Sequence, residues 1–401
     1  MRALCDPTHW WPLMACAVVA AAHGRPVRGD TMLGCYPCDS LVQRYWHDPN
    51  TVWHDRDSIK LLREQGFGWL RFGVTTESHP ELAPGADWSA LPWQDGYWSC
   101  REVAARAMAE AAAAGMKLDL FLFLSDTAAH GGQQIPPAAW ADADVLGTCR
   151  LLEQYCAETA RYFADQGLHI EVYEVGNEIE RGICGFRPDE RVPRPAEVDQ
   201  LHDLAWMRKS IWVPEALMLT AAIRGIKQVD PEAKIVLHAA TRPSPEDALV
   251  LGFFEAMVDA GVPFDYAGLS FYPWIGYPSS PPKDDWRADL QTWVAGLARL
   301  GKPVVICEYS YPHHPAAGEP GMVAAPLPGY PFTPEGQAAW LPEFLGWCRT
   351  APAIVGSFYF YPDHAWSAGA PEGDTQGLFL AEDGVPVPVP ALREVGRAGQ
   401  G

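Results

Sequence analysis

Short apolar runs recur along the chain, and each gives way to a stretch whose apolar positions fall at helical spacing. The runs are Thr31–Tyr36, Trp69–Val74, Leu118–Leu124, Ile170–Val175, Lys234–His238, Tyr266–Phe271, Val304–Glu308 and Val355–Tyr361. Most lack the polar–apolar alternation of a half-solvated strand, so they read as parallel strands covered on both faces. The helical stretches carry their own punctuation. Arg101–Gly115 is Ala-rich and stops at a glycine. Val145–Gly167 sets Leu151, Leu152, Tyr155, Cys156, Tyr162 and Phe163 on one face. Glu215–Val229 ends before Asp230-Pro231, a stop signal. Pro245–Ala260, Trp286–Leu300 and Glu335–Arg349 complete the series. Strands alternating with helices in this number predict an α/β chain folded as a single (β/α)8 TIM barrel with long βα loops. A doubly wound sheet is the alternative, but no Gly-rich phosphate loop follows any strand. The Pro-rich pieces Arg187–Pro195 and Pro312–Pro334 follow the fourth and seventh strands, which puts them on the face that carries active sites. The Val-Pro alternation at Val385–Pro390 reads as an extended tail packed on the barrel exterior.

Two of these strands end in a glutamate. Val172-Tyr173-Glu174-Val175-Gly176-Asn177-Glu178-Ile179 closes the fourth, and Gly176 lets the chain turn there. Pro303-Val304-Val305-Ile306-Cys307-Glu308 is the seventh. The separation, 308 − 178 = 130 residues, leaves room for three βα units of about forty residues each. A strand-end glutamate alone is usually an exposed loop residue. Two of them at the mouths of parallel strands are the paired carboxylates of a retaining glycosidase.

Composition narrows the partners. The net charge of −20 argues against nucleic acid and against a polybasic membrane contact, and is compatible with a neutral polysaccharide. A hydrophobic fraction of 48% supplies a full core for 401 residues in one barrel. The 17 tryptophans fill that core or stack on pyranose faces. Cys35-x-x-Cys38 is the one close cysteine pair, and a zinc site would want a second. Cys307, inside a strand, reads as a buried free thiol. The apolar run at residues 11–22 is too short to span a bilayer. It suits a signal segment over residues 1–26, with the barrel and its C-terminal tail occupying 27–401. A secreted or periplasmic protein follows if that segment is a signal, a cytoplasmic one if it is not.

After the third strand the chain reads Leu124-Ser125-Asp126-Thr127-Ala128-Ala129-His130-Gly131-Gly132-Gln133-Gln134, then Pro137-Ala138-Ala139-Trp140. This resembles glycoside hydrolase family 53, the endo-β-1,4-galactanases. Their pattern here is Tyr-Ser-Asp-x-Trp-Ala-Asp-Pro-Gly-x-Gln followed by Pro-x-x-Trp. Ser125, Asp126, Ala129, Gly132, Gln134, Pro137 and Trp140 match it. Gly176-Asn177-Glu178-Ile179 is similar to the family's acid/base segment, and Leu237-His238 to its fifth strand. Gly268–Trp274 is similar to its Gly-x-Ser-Tyr-Tyr-Pro strand, and Glu308–Pro312 to its nucleophile segment. The resemblance covers roughly residues 30–395. It implies a retaining endo-acting hydrolase that cleaves β-1,4-galactan or a related β-linked plant polysaccharide through a covalent glycosyl-enzyme. Hydrolysis of this kind requires no metal or organic cofactor. Two departures point to a shifted substrate. Arg71-Phe72-Gly73 stands for the family's Arg-x-Arg, and Tyr359-Phe360-Tyr361-Pro362 for its Tyr-Trp-Glu-Pro. A retaining barrel on glucan, mannan or xylan, or a non-catalytic carbohydrate-binding barrel, are the competing readings.

The chemistry assigns roles. Glu178 is the expected general acid/base and Glu308 the expected nucleophile. The nucleophile must be ionised, so it wants cationic or hydrogen-bonding neighbours. Arg71 and Tyr272 are the candidates. Asn177 is placed to bond the sugar 2-hydroxyl. His238 ends the fifth strand in the same ring, as a structural hydrogen-bonder or a tuner of either glutamate. Ser125 and Asp126 bond sugar hydroxyls or cap their loop. Trp140, Trp274 and Trp366 stack on sugars or fill core. Asp363 and Asp374 are too sparse for a calcium site. The expected partner is a polysaccharide or oligosaccharide, with no nucleic acid, no membrane span and a monomeric chain.

Overall fold

The computed structural model describes residues 31–46, 52–53, 56–92, 94, 96–131, 133–241, 247–278, 280–315, 322–366 and 375–399. The expected signal segment at 1–26, Gly132 and Asp374 lie outside them.

Eight parallel strands close into one barrel in sequential order. They are β1 (Met32–Tyr36), β2 (Trp69–Val74), β3 (Lys117–Leu122), β4 (Val172–Val175), β5 (Lys234–Thr241), β6 (Tyr266–Phe271), β7 (Val304–Tyr309) and β8 (Ile354–Phe360). The expected strands are all here, with ends moved by up to three residues. Their apolar runs are buried because helices cover the outside while side chains fill the inside. Helix starts are set by local chemistry. Asp144, Asp285 and Thr333 cap the helices Val145–Asp165, Trp286–Arg299 and Pro334–Thr350 by accepting from backbone N–H groups in the first turn.

The barrel interior is layered. Met32, Val172, Val236, Val305, Cys307 and Phe358 form an apolar plug. Two residues further along their strands the side chains turn polar: Glu174 follows Val172, and His238 follows Val236. Strand periodicity of two puts them on the same inner face. One irregularity sets the geometry above the plug. Leu269 pairs with Ile306 while the next residue, Ser270, pairs with Glu308, so Cys307 is an extra residue in β7. Such a bulge re-aims the side chain that follows it. Cys307 joins the plug, and Glu308 still faces the barrel mouth.

Two loop features cover that mouth or its side. Ile275–Gly276 pairs antiparallel with Val323–Ala324, joining the βα loops after β6 and β7. The Val385–Pro390 segment is not a lone extended tail. Val385–Pro388 (β10) pairs antiparallel with Phe379–Glu382 (β9). Asp383 and Gly384 join them with φ +50° and +73°, the two-residue turn that matches strand twist. Pro390–Gly399 then forms a closing helix. The prolines misled the reading because an edge strand tolerates them wherever the missing N–H faces away from the ladder.

Candidate active site

Arg71, on β2, is fully buried under the barrel mouth and organises the acids around it. Its Nε donates to Glu174 Oε1 at 2.7 Å and its Nη2 to Glu174 Oε2 at 2.9 Å. Its Nη1 donates to Glu308 Oε1 at 2.9 Å. Its Nη2 also reaches Asn177 Oδ1 at 3.3 Å. The guanidinium plane lies over the Phe121 ring, with Cζ 3.8 Å from the centroid. A planar fork with five donors can do all of this; an ammonium cannot.

Glu308 has two further donors. Tyr272 gives its hydroxyl to Oε2 at 2.9 Å, and Ser270 Oγ stands 3.5 Å from the same oxygen. Burial, then the charges of Glu308 and Glu178, push the Tyr272 hydroxyl well above its usual range, so it stays a donor. Ser270 in turn lies 2.8 Å from His238 Nε2. The other His238 nitrogen, Nδ1, lies 3.4 Å from both Arg71 Nη2 and Glu174 Oε2, and a proton there is donated to Glu174. Arg71, Tyr272 and Ser270 thus surround the Glu308 carboxylate with donors, the setting a carboxylate nucleophile needs.

Below this pair the charges are arranged to balance. Burial acts first to raise the Glu174 carboxyl, but Arg71 and His238 outweigh it and hold it well below the carboxylate range. Asp119, fully buried on β3, goes the other way. Burial, then the negative charge of Glu174, push it well above its usual range. The same two causes keep the Cys307 thiol neutral. Glu174, His238 and Cys307 are the one group among the described residues that clusters as metal ligands would. Arg71 already occupies the Glu174 oxygens, so a cation would have to displace a guanidinium.

Glu178 arrives by a turn with two left-handed residues. Gly176 has φ +88°, and a Cβ there would lie 2.4 Å from Ile179 Cγ2. Glu178 itself has φ +52°, a conformation that costs a non-glycine residue about 1–2 kcal/mol. Gln134 stabilises it by donating Nε2 to the carbonyls of Asn177 at 2.7 Å and Glu178 at 3.4 Å. Asn177 donates Nδ2 to the Ala129 carbonyl at 3.1 Å. Strain held in place by the surroundings is common where a side chain must point into a site.

Glu178 and Glu308 line one cavity of about 480 Å³, and Asn177, Tyr272 and Trp274 line it with them. Arg71 and His238 lie just beneath. The other sequence candidates stand outside that lining. Ser125 bonds Thr127 within its own loop. Asp126 ties Thr76 to the backbone N–H of Ala138, which joins two loops. Trp140 is buried edge-on to Tyr155, and Trp366 stacks on His314 at 3.8 Å. The Asp363 carboxylate accepts from Cys38 N, Ser40 N and Ser40 Oγ, all within 3.2 Å, in place of any cation. The sequence reading missed Glu174 and Asp119, although a carboxylate inside an apolar strand was a signal. It also missed the aromatic lining: Tyr36, Trp98, Phe121, Phe123, Phe360 and Tyr361.

The glycosyl hydrolase family 53 model matches residues 41–384. An uncharacterized protein in the bgaB 5′ region of Niallia circulans is 28% identical over 264 residues, 63% of this chain. The match spans 65% of that relative, just under two thirds of its length. An arabinogalactan endo-beta-1,4-galactanase of Humicola insolens is 28% identical over 66% of this chain and 73% of that protein. One of Cellvibrio japonicus is 28% identical over 76% and 75%. The Ignisphaera aggregans GH53 catalytic domain superposes with TM-score 0.68 at 21% identity, covering 92% of this chain and 97% of that one. A fungal beta-1,4-galactanase structure superposes with TM-score 0.67 at 20% identity, covering 91% and 98%.

Proposed function

Because this chain belongs to glycosyl hydrolase family 53, we propose that it cleaves β-1,4-galactan or a closely related β-linked glycan, endo-wise and with retention. Glu178 acts as acid/base and Glu308 as nucleophile. The observation that carries this is the presence of both glutamates in the lining of one cavity, with Glu308 held by Arg71, Tyr272 and Ser270. The relatives named as galactanases support the substrate.

The reaction divides in two. Glu308 Oε attacks the anomeric carbon while Glu178 delivers a proton to the leaving oxygen, and a covalent glycosyl-enzyme forms. Glu178, now ionised, takes a proton from water, which attacks the same carbon and frees Glu308. Arg71 counters the Glu308 charge before and after, so the carboxylate leaves as readily as it arrives. Two carboxyl groups working this way stand ~5–5.5 Å apart.

The test is a polysaccharide panel read by release of reducing ends. Cleavage of galactan with no action on glucan, mannan or xylan is the expected result. A second reading, the same chemistry on another β-glycan, is favoured by Phe360 and Tyr361, which line the cavity where the family carries Trp and Glu. Activity on one of the other polymers alone would establish it. No release from any polymer would leave only a carbohydrate-binding barrel. Export belongs to the same proposal, since such a polymer is met outside the cell. Among the described residues no helix is long and apolar enough to cross a membrane. N-terminal sequencing of the exported protein tests for removal of residues 1–26.

A further inference from the structure

One side of the cavity is built mostly of aromatic rings. Trp98, Phe123, Phe121, Tyr36 and Phe360 form a continuous chain of ring contacts that ends on Tyr272. They come from the loop after β2 and from β3, β1 and β8, neighbours around the barrel. Their contacts are edge-to-face or tilted. Trp98–Phe123 meet at 85°, Phe121–Phe123 at 73°, Tyr36–Phe121 at 89° and Tyr36–Phe360 at 59°. Gly73 makes room for this wall, since a Cβ there would lie 2.2 Å from the Phe121 ring. Outside this wall the polar groups of the cavity are Asn177, Thr241, Ser270 and the two glutamates, from β4 to β7 and the loop after β4, with His130 after β3, Gln376 after β8 and the hydroxyls of Tyr272 and Tyr277.

We propose that this wall is a subsite for a planar aromatic group carried on the substrate glycoside. A pyranose needs a flat ring to lie on and partners for its equatorial hydroxyls. The wall forms no single flat platform, because its rings meet one another at steep or tilted angles. Its polar atoms are the Tyr36 hydroxyl and the Trp98 indole N–H, and the neighbouring Tyr361 adds one more hydroxyl. A sugar pushed against Phe121, Phe123 and Phe360 would lose hydrogen bonds to water without replacement. A phenyl ring loses none, and gains edge-to-face contacts of the kind the wall already makes. The wall reaches the reacting bond at both ends. Leu122 pairs with Val175, so Phe123 stands beside the turn that carries Asn177 and Glu178. Phe360 follows the β8 residue Tyr359, which pairs with Tyr309, next to Glu308. The aromatic group is therefore either the leaving aglycone or an acyl substituent on a sugar next to the cleaved bond. This inference rests on the proposed galactoside chemistry for the sugar half of the ligand.

Binding of compounds that are not turned over tests it. The first arm compares phenyl with methyl 1-thio-β-D-galactopyranoside by titration calorimetry on the full chain. The second compares a benzoyl-esterified galactobiose with free galactobiose, using the Glu308→Gln variant to prevent cleavage. A preference of about tenfold or more for the aromatic member is expected in one arm, which also identifies the source of the ring. Phe123→Ser should reduce that preference to less than about threefold. Trp98→Ala, at the half-buried rim, is the second variant should Phe123→Ser not fold. Phe121 is left alone because Arg71 lies on it. Equal affinities in both arms, or binding of neither member, overturn the proposal. So does a Trp98→Ala variant that weakens free galactobiose as much as the aromatic ligand, since the wall would then seat sugar. Galactan cleavage is measured on the same wild-type sample. Cleavage without an aromatic preference sinks this inference alone, and a preference without cleavage supports it while the substrate assignment fails.

Discussion

A single guanidinium, that of Arg71, pairs with two buried carboxylates, Glu174 and Glu308. Removing it leaves Glu174 and Glu308 buried without a counter-charge. Arg71→Met is expected to cost about 3–5 kcal/mol in a urea melt. Arg71→Lys should recover only part of this, because a point charge cannot make the bidentate contact. Asp119 gives a test with a definite sign. Its folded pKa is raised, and an unfolded Asp titrates near ~3.9. Above that value the unfolded chain has released a proton that the folded chain keeps, so the group lowers stability as pH rises towards its folded pKa. Asp119→Asn removes the titration. The melting temperature of the variant relative to wild type should climb as pH rises above about 4 towards the raised folded pKa, and a flat difference would contradict the assignment. Glu174 has the opposite sign: its stabilisation is present above the unfolded pKa and is lost only as pH falls through the depressed folded value. The catalytic roles are separable by azide rescue. Glu178→Gln on an activated aryl glycoside should accumulate the covalent intermediate, and azide should release a β-glycosyl azide. Glu308→Gln with azide should give the α-azide. The opposite anomers would mean that the acid and the nucleophile are exchanged.

At the scale of elements, function sits on two departures from regular strand geometry. The first is the turn after β4, where Glu178 is held at φ +52°. Glu178→Gly relieves that conformation and should stabilise the chain by roughly 1 kcal/mol while reducing hydrolysis at least about a hundredfold. Equilibrium unfolding and a galactan assay on the same variant check both halves, and a destabilised variant would show that the turn is not strained. The second is the bulge at Cys307. In an unbroken strand with Cys307 pointing inward, alternation would send Glu308 to the outer face. Neither device is visible in the apolar pattern. Val304–Glu308 reads as an ordinary strand because a bulge adds a residue without changing the residue types.

For the whole molecule, a net charge of −20 is one that a neutral polymer does not sense electrostatically. The ion pairs that matter to the site, Arg71 with Glu174 and Glu308, are buried beyond the reach of salt. The specificity constant on galactan should therefore change less than about twofold between about 0.05 and 0.5 M NaCl. A steep fall with salt would point to a charged substrate.

The order of strands and helices, and with it the barrel, was legible in the chain because parallel strands buried on both faces must be apolar throughout, and the helices between them must be amphipathic. Glu178 and Glu308 stood out for the same reason, as charges at the ends of apolar runs. What the chain could not show is which way the apolar residues point. Phe121 and Phe123, in and after a strand, and Phe253 and Phe254, in a helix, are equally apolar in the sequence, yet the first two line the cavity and the last two lie in the core. Asp126 and Asp363 match the composition of a binding loop, yet both are consumed in tying loops together. Facing is decided by register, by one extra residue in β7 and by closure of β8 onto β1. Those are contacts between residues up to about three hundred positions apart, and hydrophobicity, being non-directional, carries no record of them.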